Sequence, residues 1–332
     1  MKKFLNNSSD IMDETMAGYA LSNRKRLCLP PETHNMMRKK AKEKGKVKLV
    51  AGNGGGHEPG LMGWVGFGMY DLDCLGDIFT AQAGRIFFEA IKSINDGSPI
   101  LLTIANHAGD VTNGNLAFSL CKKESMEIEK VLFYDDIASA PKGQEEERRG
   151  MAGMMFPIKC AGAMAEEGAS LSECVRVFEK ARDNVRTIAL TLGSCTHPAT
   201  GFQMTETPAD KVGLGAGVHG ESGTLETPFA SSRELARAAS GMLIEDKPFK
   251  TGDEVCVLVN GMGSTSMMEL SIFYRDVYAY LEDRGIKVYD GTAGNYITTQ
   301  EMAGLSLSFM KLDEELKRCW DALCSTPAYT NC

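Results

Sequence analysis

At 332 residues, with 43% hydrophobic and 24% charged side chains, the chain has the composition of a soluble globular protein large enough for two domains. Its net charge of −8 argues against phosphate-backbone binding, which needs clustered Lys and Arg, so no nucleic-acid partner is expected. No window approaches the roughly 20 apolar residues of a membrane helix, and the opening Met1-Lys-Lys-Phe-Leu lacks the apolar stretch of a signal peptide, so a cytoplasmic chain without a membrane partner is expected.

In chain order, the basic run Arg38 to Lys48 reads as a solvated helix end. Val47–Ala51 is an apolar, β-rich run that enters a glycine stretch, Gly52-Asn-Gly-Gly-Gly-His57-Glu-Pro-Gly60. Ile100–Ile104 runs into Asn106-His-Ala-Gly-Asp110, and Val131–Tyr134 into Asp135-Asp136. The methionines 151, 154, 155 and 164 read as core packing on a helix. Ser170-Leu-Ser-Glu173 is a capping box opening a helix to about 184, with Val175, Val177 and Phe178 inside. Thr187–Thr191 and Val255–Val259 are further buried-strand runs that end in loops. Ser266 to Arg284 is a helix with Met268, Leu270, Phe273, Val277, Tyr278 and Leu281 inward and Gly285 at its C-terminus. Leu305–Phe309 alternates as a strand, and an amphipathic helix from about Asp313 to Leu323 closes the chain. Strands alternating with helices predict an α/β fold, whose ligands bind where strand ends open into loops. A boundary near 183 divides the chain into 1–183 and 184–332.

The ten cysteines are scattered and form no CxxC pair. Those in apolar surroundings, such as Cys160 and Cys256, read as buried free thiols. No tight Cys/His cluster exists, so no metal site is expected. His57-Glu58 opens like HExxH, but Leu61 stands at the second His position.

Two of the five histidines sit in glycine-rich stretches, His57 and the His219 of Gly213-Leu-Gly-Ala-Gly-Val-His219-Gly-Glu-Ser-Gly223. Glycine removes shielding side chains and leaves an imidazole facing a small molecule. Gly215-Ala-Gly217-Val-His-Gly220 matches GxGxxG, but polar Glu206–Asp210 precedes it where a strand is required and Glu221-Ser-Gly-Thr224 follows where a helix is required. No Walker A sequence occurs, so no nucleotide site is recognised. Three readings of His219 stand side by side. As a structural residue it would hydrogen-bond a loop; as a metal ligand it lacks partners; as a nucleophile its neutral nitrogen can add to a ketone or aldehyde carbon. Glycine N–H groups nearby could hold the resulting oxygen. His57 and Asp110, each placed in a loop after a strand, make an acid/base pair near a hydroxyl, though Gly-Asp also suits a turn that satisfies its own backbone. His107 and Thr196-His197-Pro198 could also line a site; His34 reads as surface.

The ordered motifs resemble the substrate-binding (K) subunit family of dihydroxyacetone kinases over nearly the whole chain. Gly52-Asn-Gly-Gly-Gly-His57-Glu-Pro is similar to the family's GGGSGHEP, Asn106-His-Ala-Gly-Asp110-Val to KNYTGDV, and Gly217-Val-His219-Gly-Glu-Ser-Gly223 to GIHGEPG. Gly66-Phe-Gly-Met-Tyr-Asp, Gly76-Asp-Ile-Phe-Thr80, Arg148-Arg-Gly-Met-Ala-Gly153, Ala161–Gly168, Val259-Asn-Gly-Met-Gly-Ser-Thr, Glu301-Met-Ala-Gly-Leu-Ser and Leu312-Asp-Glu-Glu-Leu follow in the family's order. The resemblance implies two α/β domains with mixed sheets, the substrate at their junction, and a homodimer. It implies that His219 forms a hemiaminal with a ketose carbonyl, that His57 and Asp110 bind the substrate and remove its hydroxyl proton, and that Gly54, Gly55 and Gly56 contact it. It further implies that this chain binds no nucleotide, and that ADP or ATP with Mg sits on a separate L-type (DhaL) subunit. The family's lysine is Ala105 here, its tyrosine His107, its GGGSGHEP serine Gly55, and Phe79-Thr-Ala-Gln82 replaces FTSP. Loss of a lysine removes a donor and a charge. A kinase subunit for another short ketose such as a ketotetrose, and a ketose-sensing paralogue acting with a transcription regulator, are the alternatives.

Overall fold

The computed structural model describes residues 2–332 apart from 205, 206, 220, 222 and 224. Glu206, Gly220, Ser222 and Thr224, quoted above, therefore lie outside the described residues. The fold is α/β with two mixed six-stranded sheets.

The first half opens with α1 (Ile11–Ser22), β1 (Leu27–Cys28), β2 (Asn35–Arg38), β3 (Lys48–Gly55), β4 (Leu72–Ile78) and α2 (Gly84–Ser93). It continues with β5 (Ile100–Ala105), α3 (Ala108–Lys123), β6 (Ile128–Phe133), α4 (Met155–Glu167) and α5 (Leu171–Asp183). Its sheet runs β1-β2-β4-β3-β5-β6, with β4, β3, β5 and β6 parallel and β1 and β2 antiparallel at one edge. Crossover helices cover a parallel sheet, so β5 is buried on both faces, and its unbroken Ile-Leu-Leu-Thr-Ile run follows from that. Helices α2 and α3 pack Phe87, Ile91, Ala117 and Cys121 against Val50, Leu72 and Leu102.

The second half contains β7 (Val185–Thr191), β8 (Lys211–Leu214), β9 (Leu225–Pro228), α6 (Ser232–Asp246), β10 (Glu254–Gly261), α7 (Met267–Glu282), β11 (Lys287–Gly294) and β12 (Gly304–Lys311). Its order is β11-β10-β12-β7-β8-β9, and only β10 and β11 are parallel. The alternation in β12 separates an apolar face, Leu305, Leu307 and Phe309, from a polar face that is also buried. There Ser308 accepts from Thr187 Oγ1 at 2.8 Å and Ser306 from Asn260 Nδ2 at 3.2 Å. The 183/184 position falls between α5 and β7. The last elements, α8 (Glu314–Asp321), β13 (Cys324–Ser325) and β14 (Thr330–Asn331), return to the first half. Trp320 packs on Phe156 of α4, and buried Lys159 of α4 donates to the carbonyls of Cys319 and Ala322 at the end of α8.

Helix α4 is buried from Met155 to Ala165, and Met151, Met154 and Met164 are buried with it, as the methionine pattern predicts. Gly162 is required there, because a Cβ would lie 2.2 Å from the Gly68 carbonyl oxygen. Ser170 caps α5 by accepting from the Glu173 N–H. Val177 and Phe178 are buried, with Val175 only half-buried. In α7 the stripe Leu270, Phe273, Val277 and Leu281 is buried at helical spacing, whereas Met268 and Tyr278 fall off it and are 70% and 44% exposed. Arg38 to Lys48 is no helix end. It is the end of β2, a turn and the start of β3, where Arg38 and Lys42 pair with buried Asp71 and Lys48 with Asp96. All ten cysteines are free thiols, Cys160 and Cys256 among the buried ones. No helix among the described residues is long and apolar enough to cross a membrane.

Candidate active site

Three loops from the two halves meet at a cleft of about 30 Å³ lined by Asn53, Gly54, His57, Ala105, His107, Asp110, Val218 and His219. The first loop leaves β3. Its close turn needs glycine at 54, where a Cβ would approach the Thr80 amide to 2.8 Å, and at 56, where φ is +95°. His57 is buried rather than bared, at 7% exposure. Its Nδ1 lies 2.9 Å from the Thr298 carbonyl. A carbonyl only accepts, so Nδ1 carries the proton and Nε2 keeps its lone pair. Burial, then the charge of His219, lowers the His57 pKa to about 3, which keeps the ring neutral.

The second loop joins β5 to α3. His107 stands at the N-cap position of α3, with Nε2 3.1 Å from the Gly150 carbonyl. Burial and His219 lower its pKa to about 4. Asp110 is in the first turn of α3, not in a loop. It is 8% exposed and its Oδ1 has no hydrogen-bond partner, so its side chain is not explained as a self-satisfied turn. Burial raises its pKa to about 6, and His219 opposes that rise.

The third loop, between β8 and β9, carries His219. Its ring centroid is 5.1 Å from that of His57, 4.8 Å from His107 and 5.8 Å from Phe79. Glu221 turns back under it. One carboxylate oxygen accepts the His219 backbone N–H at 3.0 Å, and the other is 3.4 Å from His219 Nδ1. Burial works to raise the Glu221 pKa, but the hydrogen bond and charge of His219, with Arg149, outweigh it and bring it to about 2. The carboxylate therefore stays ionised and favours the proton on Nδ1, which leaves a lone pair on Nε2 of His219. Gly217 makes room for this, because a Cβ there would be 2.1 Å from a Glu221 oxygen. The amides of Gly215 and Gly217 bond to the Ala189 and Glu221 carbonyls, so neither remains to hold a substrate oxygen. The expectation that His219 lacks metal partners is also corrected, because His107 and Glu221 stand beside it.

Several contributors carry no local sequence signal. Thr298 orients His57, and Thr299 Oγ1 donates to the Val218 carbonyl at 2.8 Å, which ties the 298–300 loop to both histidine loops. Arg149 bonds Asp136 and the Gly215 carbonyl and reaches within 3.8 Å of Glu221. Asp73 of β4 is fully buried with both carboxylate oxygens unpartnered; burial, then the charges of Asp110 and Glu58, push its pKa far above the carboxylate range. Gly55 and Gly56 stand behind the cleft: the missing Cβ of Gly55 faces Met12, and that of Gly56 faces Phe79. His197 packs 6.1 Å from Phe79, outside the cleft lining, and His34 is half-exposed and 2.7 Å from Asp13.

A protein-family model described as the Dak1 domain matches residues 17–328. The chain is 36% identical over 329 residues to a D-erythrulose kinase of Mycolicibacterium smegmatis, covering 99% of this chain but 56% of that one. It is also 36% identical over 315 residues to the dihydroxyacetone-binding subunit DhaK of a PTS-dependent dihydroxyacetone kinase of Listeria innocua, covering 95% of each. Among solved structures, a dihydroxyacetone kinase operon co-activator superposes with a TM-score of 0.90 at 28% identity, over 96% of this chain and 98% of that one.

Proposed function

The chain belongs to the Dak1-domain family, and from that premise we propose that it is the ketose-binding subunit of a dihydroxyacetone (glycerone) kinase, an alcohol-accepting phosphotransferase active with a partner subunit. One observation carries the reading: His219, with its Nδ1 beside Glu221, meets His57 and Asp110 in one small cleft.

The steps follow from those atoms. The Nε2 lone pair of His219 adds to the ketone carbon, and the π pair of the carbonyl moves to oxygen. The alkoxide takes a proton from solvent, and Nδ1 gives its own proton to Glu221, which returns it to solvent, leaving a neutral hemiaminal. A polyol such as glycerol has no carbonyl and cannot be held this way. Asp110, ionised above its pKa of about 6, accepts the proton of the terminal hydroxyl. The Nε2 of His57 accepts a hydrogen bond from the hemiaminal hydroxyl. The hydroxyl oxygen then attacks phosphorus, and the phosphoryl group's bond to its donor breaks. We assign the ADP or ATP and its Mg²⁺ to a DhaL-type partner and expect this chain to hold no nucleotide or metal for turnover. A cytoplasmic homodimer is the working assembly.

The test is phosphorylation of dihydroxyacetone by the purified chain with a DhaL-type subunit and its donor. Formation of dihydroxyacetone phosphate, lost in His219→Ala, supports the reading; no product with any such partner contradicts it. Ala105 lining the cleft, together with the similarity to a D-erythrulose kinase, favours a four-carbon ketose as second substrate. The structural likeness to an operon co-activator favours a sensing role, in which the ketose binds tightly and is not phosphorylated.

A further inference from the structure

We infer that His107, His219 and Glu221 form a binding site for a zinc-type transition-metal ion, and that the ion and the ketose exclude each other. One ligating atom from each residue lies within 4.8 Å of the other two. The contact between His219 Nδ1 and Glu221 Oε1 is 3.4 Å. It is a loose hydrogen bond, longer than the roughly 2.7–2.9 Å usual for a charge-assisted one, so an ion can take the place of the shared proton. It matches the edge of a tetrahedral zinc site, whose bonds of about 2.0–2.2 Å place ligand atoms about 3.3–3.5 Å apart.

The remaining bonds leave these atoms available. The other Glu221 oxygen is held by the His219 amide, which aims Oε1 at the imidazole. The His107 Nε2 is bonded to the Gly150 carbonyl, so its Nδ1 keeps the lone pair, and a backbone carbonyl on the far nitrogen is the usual second support of a metal-bound imidazole. Arg149 lies 3.8 Å from Glu221 Oε1, but Asp136 and the Gly215 carbonyl hold its guanidinium. Asp110 lines the same cleft, and its buried, unpartnered Oδ1 is an independent sign that this pocket receives a further ligand. Two imidazoles and a carboxylate with an open position form a donor set that zinc accepts. Metal on His219 Nδ1 displaces that nitrogen's proton, leaves the neutral ring protonated on Nε2 and fills the cleft, so the ketone carbon loses its nucleophile.

The probe is Co²⁺ titrated into chelator-stripped protein and followed by its visible d–d bands, with Zn²⁺ as competitor. The expected result is one site per chain with tetrahedral bands, displaced by Zn²⁺ and by saturating dihydroxyacetone. The variants His107→Phe and Glu221→Gln, each checked for an unchanged unfolding transition, weaken binding by about tenfold or more. Absence of such bands in the parent protein overturns the inference, as does binding of equal strength in both variants. Because the readout is the metal's own spectrum on this chain alone, it stands or falls separately from kinase activity.

Discussion

His57 and His219 face each other across the junction of the two halves with ring centroids 5.1 Å apart. One is brought by the loop after β3 and the other by the loop after β8, and neither half holds the pair alone. Two imidazoles this close disfavour each other's protonation. His57 is buried and stays neutral, so the proposed mechanism gives proton uptake to the carboxylate across the cleft.

That division sets the pH profile. Asp110 must be ionised to act as a base, and its pKa is raised to about 6. With the cognate partner, kcat/KM falls about tenfold per unit below pH ~6. His57 and His107, lowered to about 3 and about 4, add no limb above that. Asp110→Asn removes the limb and lowers kcat by about 10²–10⁴. A parent profile flat from pH 5 to 8 excludes Asp110 as the base.

Glu221→Gln tests the tautomer of His219. An amide can donate to Nδ1 and move the proton to Nε2, which blanks the nucleophile. The expected loss of kcat/KM is about a hundredfold or more, with the ¹³C resonance of bound [2-¹³C]dihydroxyacetone no longer at a tetrahedral shift. Activity near the parent level in this variant contradicts the assigned role.

Asp73 is a stability liability. Its folded-state pKa is raised above the unfolded value, so its contribution is fully present below about pH 4 and is lost as pH rises through the folded pKa. Removing it with Asp73→Ala therefore stabilises the protein at pH 8 by about 1–3 kcal/mol, less any cavity cost. It also flattens the decline of stability with rising pH. Urea unfolding of both proteins at pH 5 and 8 measures this; a variant less stable than the parent at both values contradicts it.

Ala105→Lys places an ammonium beside Asp110. An opposite charge within about 4–6 Å lowers a carboxyl pKa by about 1–3 units. The acid limb should therefore shift down by at least one unit, and the longer chain should raise KM for a ketotetrose more than for dihydroxyacetone. An unmoved limb indicates that residue 105 does not face Asp110.

Much of this was readable from the residues, for physical reasons. β3, β5, β7 and β10 are buried on both faces, and that environment selects the apolar runs seen in sequence. β2 and β4 were not legible, since β2 is only four residues long, Asp73 and Asp77 interrupt β4, and their partners come from elsewhere. α3 begins in Asn-His-Ala-Gly-Asp, which has the chemistry of a turn, so Asp110 was placed in a loop. His57, Asp110 and His219 were singled out because glycine and motif order mark them, and the fold brings all three to one cleft. Glu221 lies two residues from His219 and could have been assigned by that spacing. Thr298, Arg149 and Asp73 could not, because their roles arise from contacts made across the fold. The basic run from Arg38 misled because its partners, Asp71, Asp96 and Glu166, are distant in sequence.

The central claim is a bond between His219 and a ketone carbon. A crystal structure of the chain soaked with dihydroxyacetone measures it directly. The account predicts continuous density from Nε2 to a tetrahedral C2 at a single-bond length of about 1.5 Å. A planar ketone resting at van der Waals distance from His219, or bound elsewhere, would contradict it.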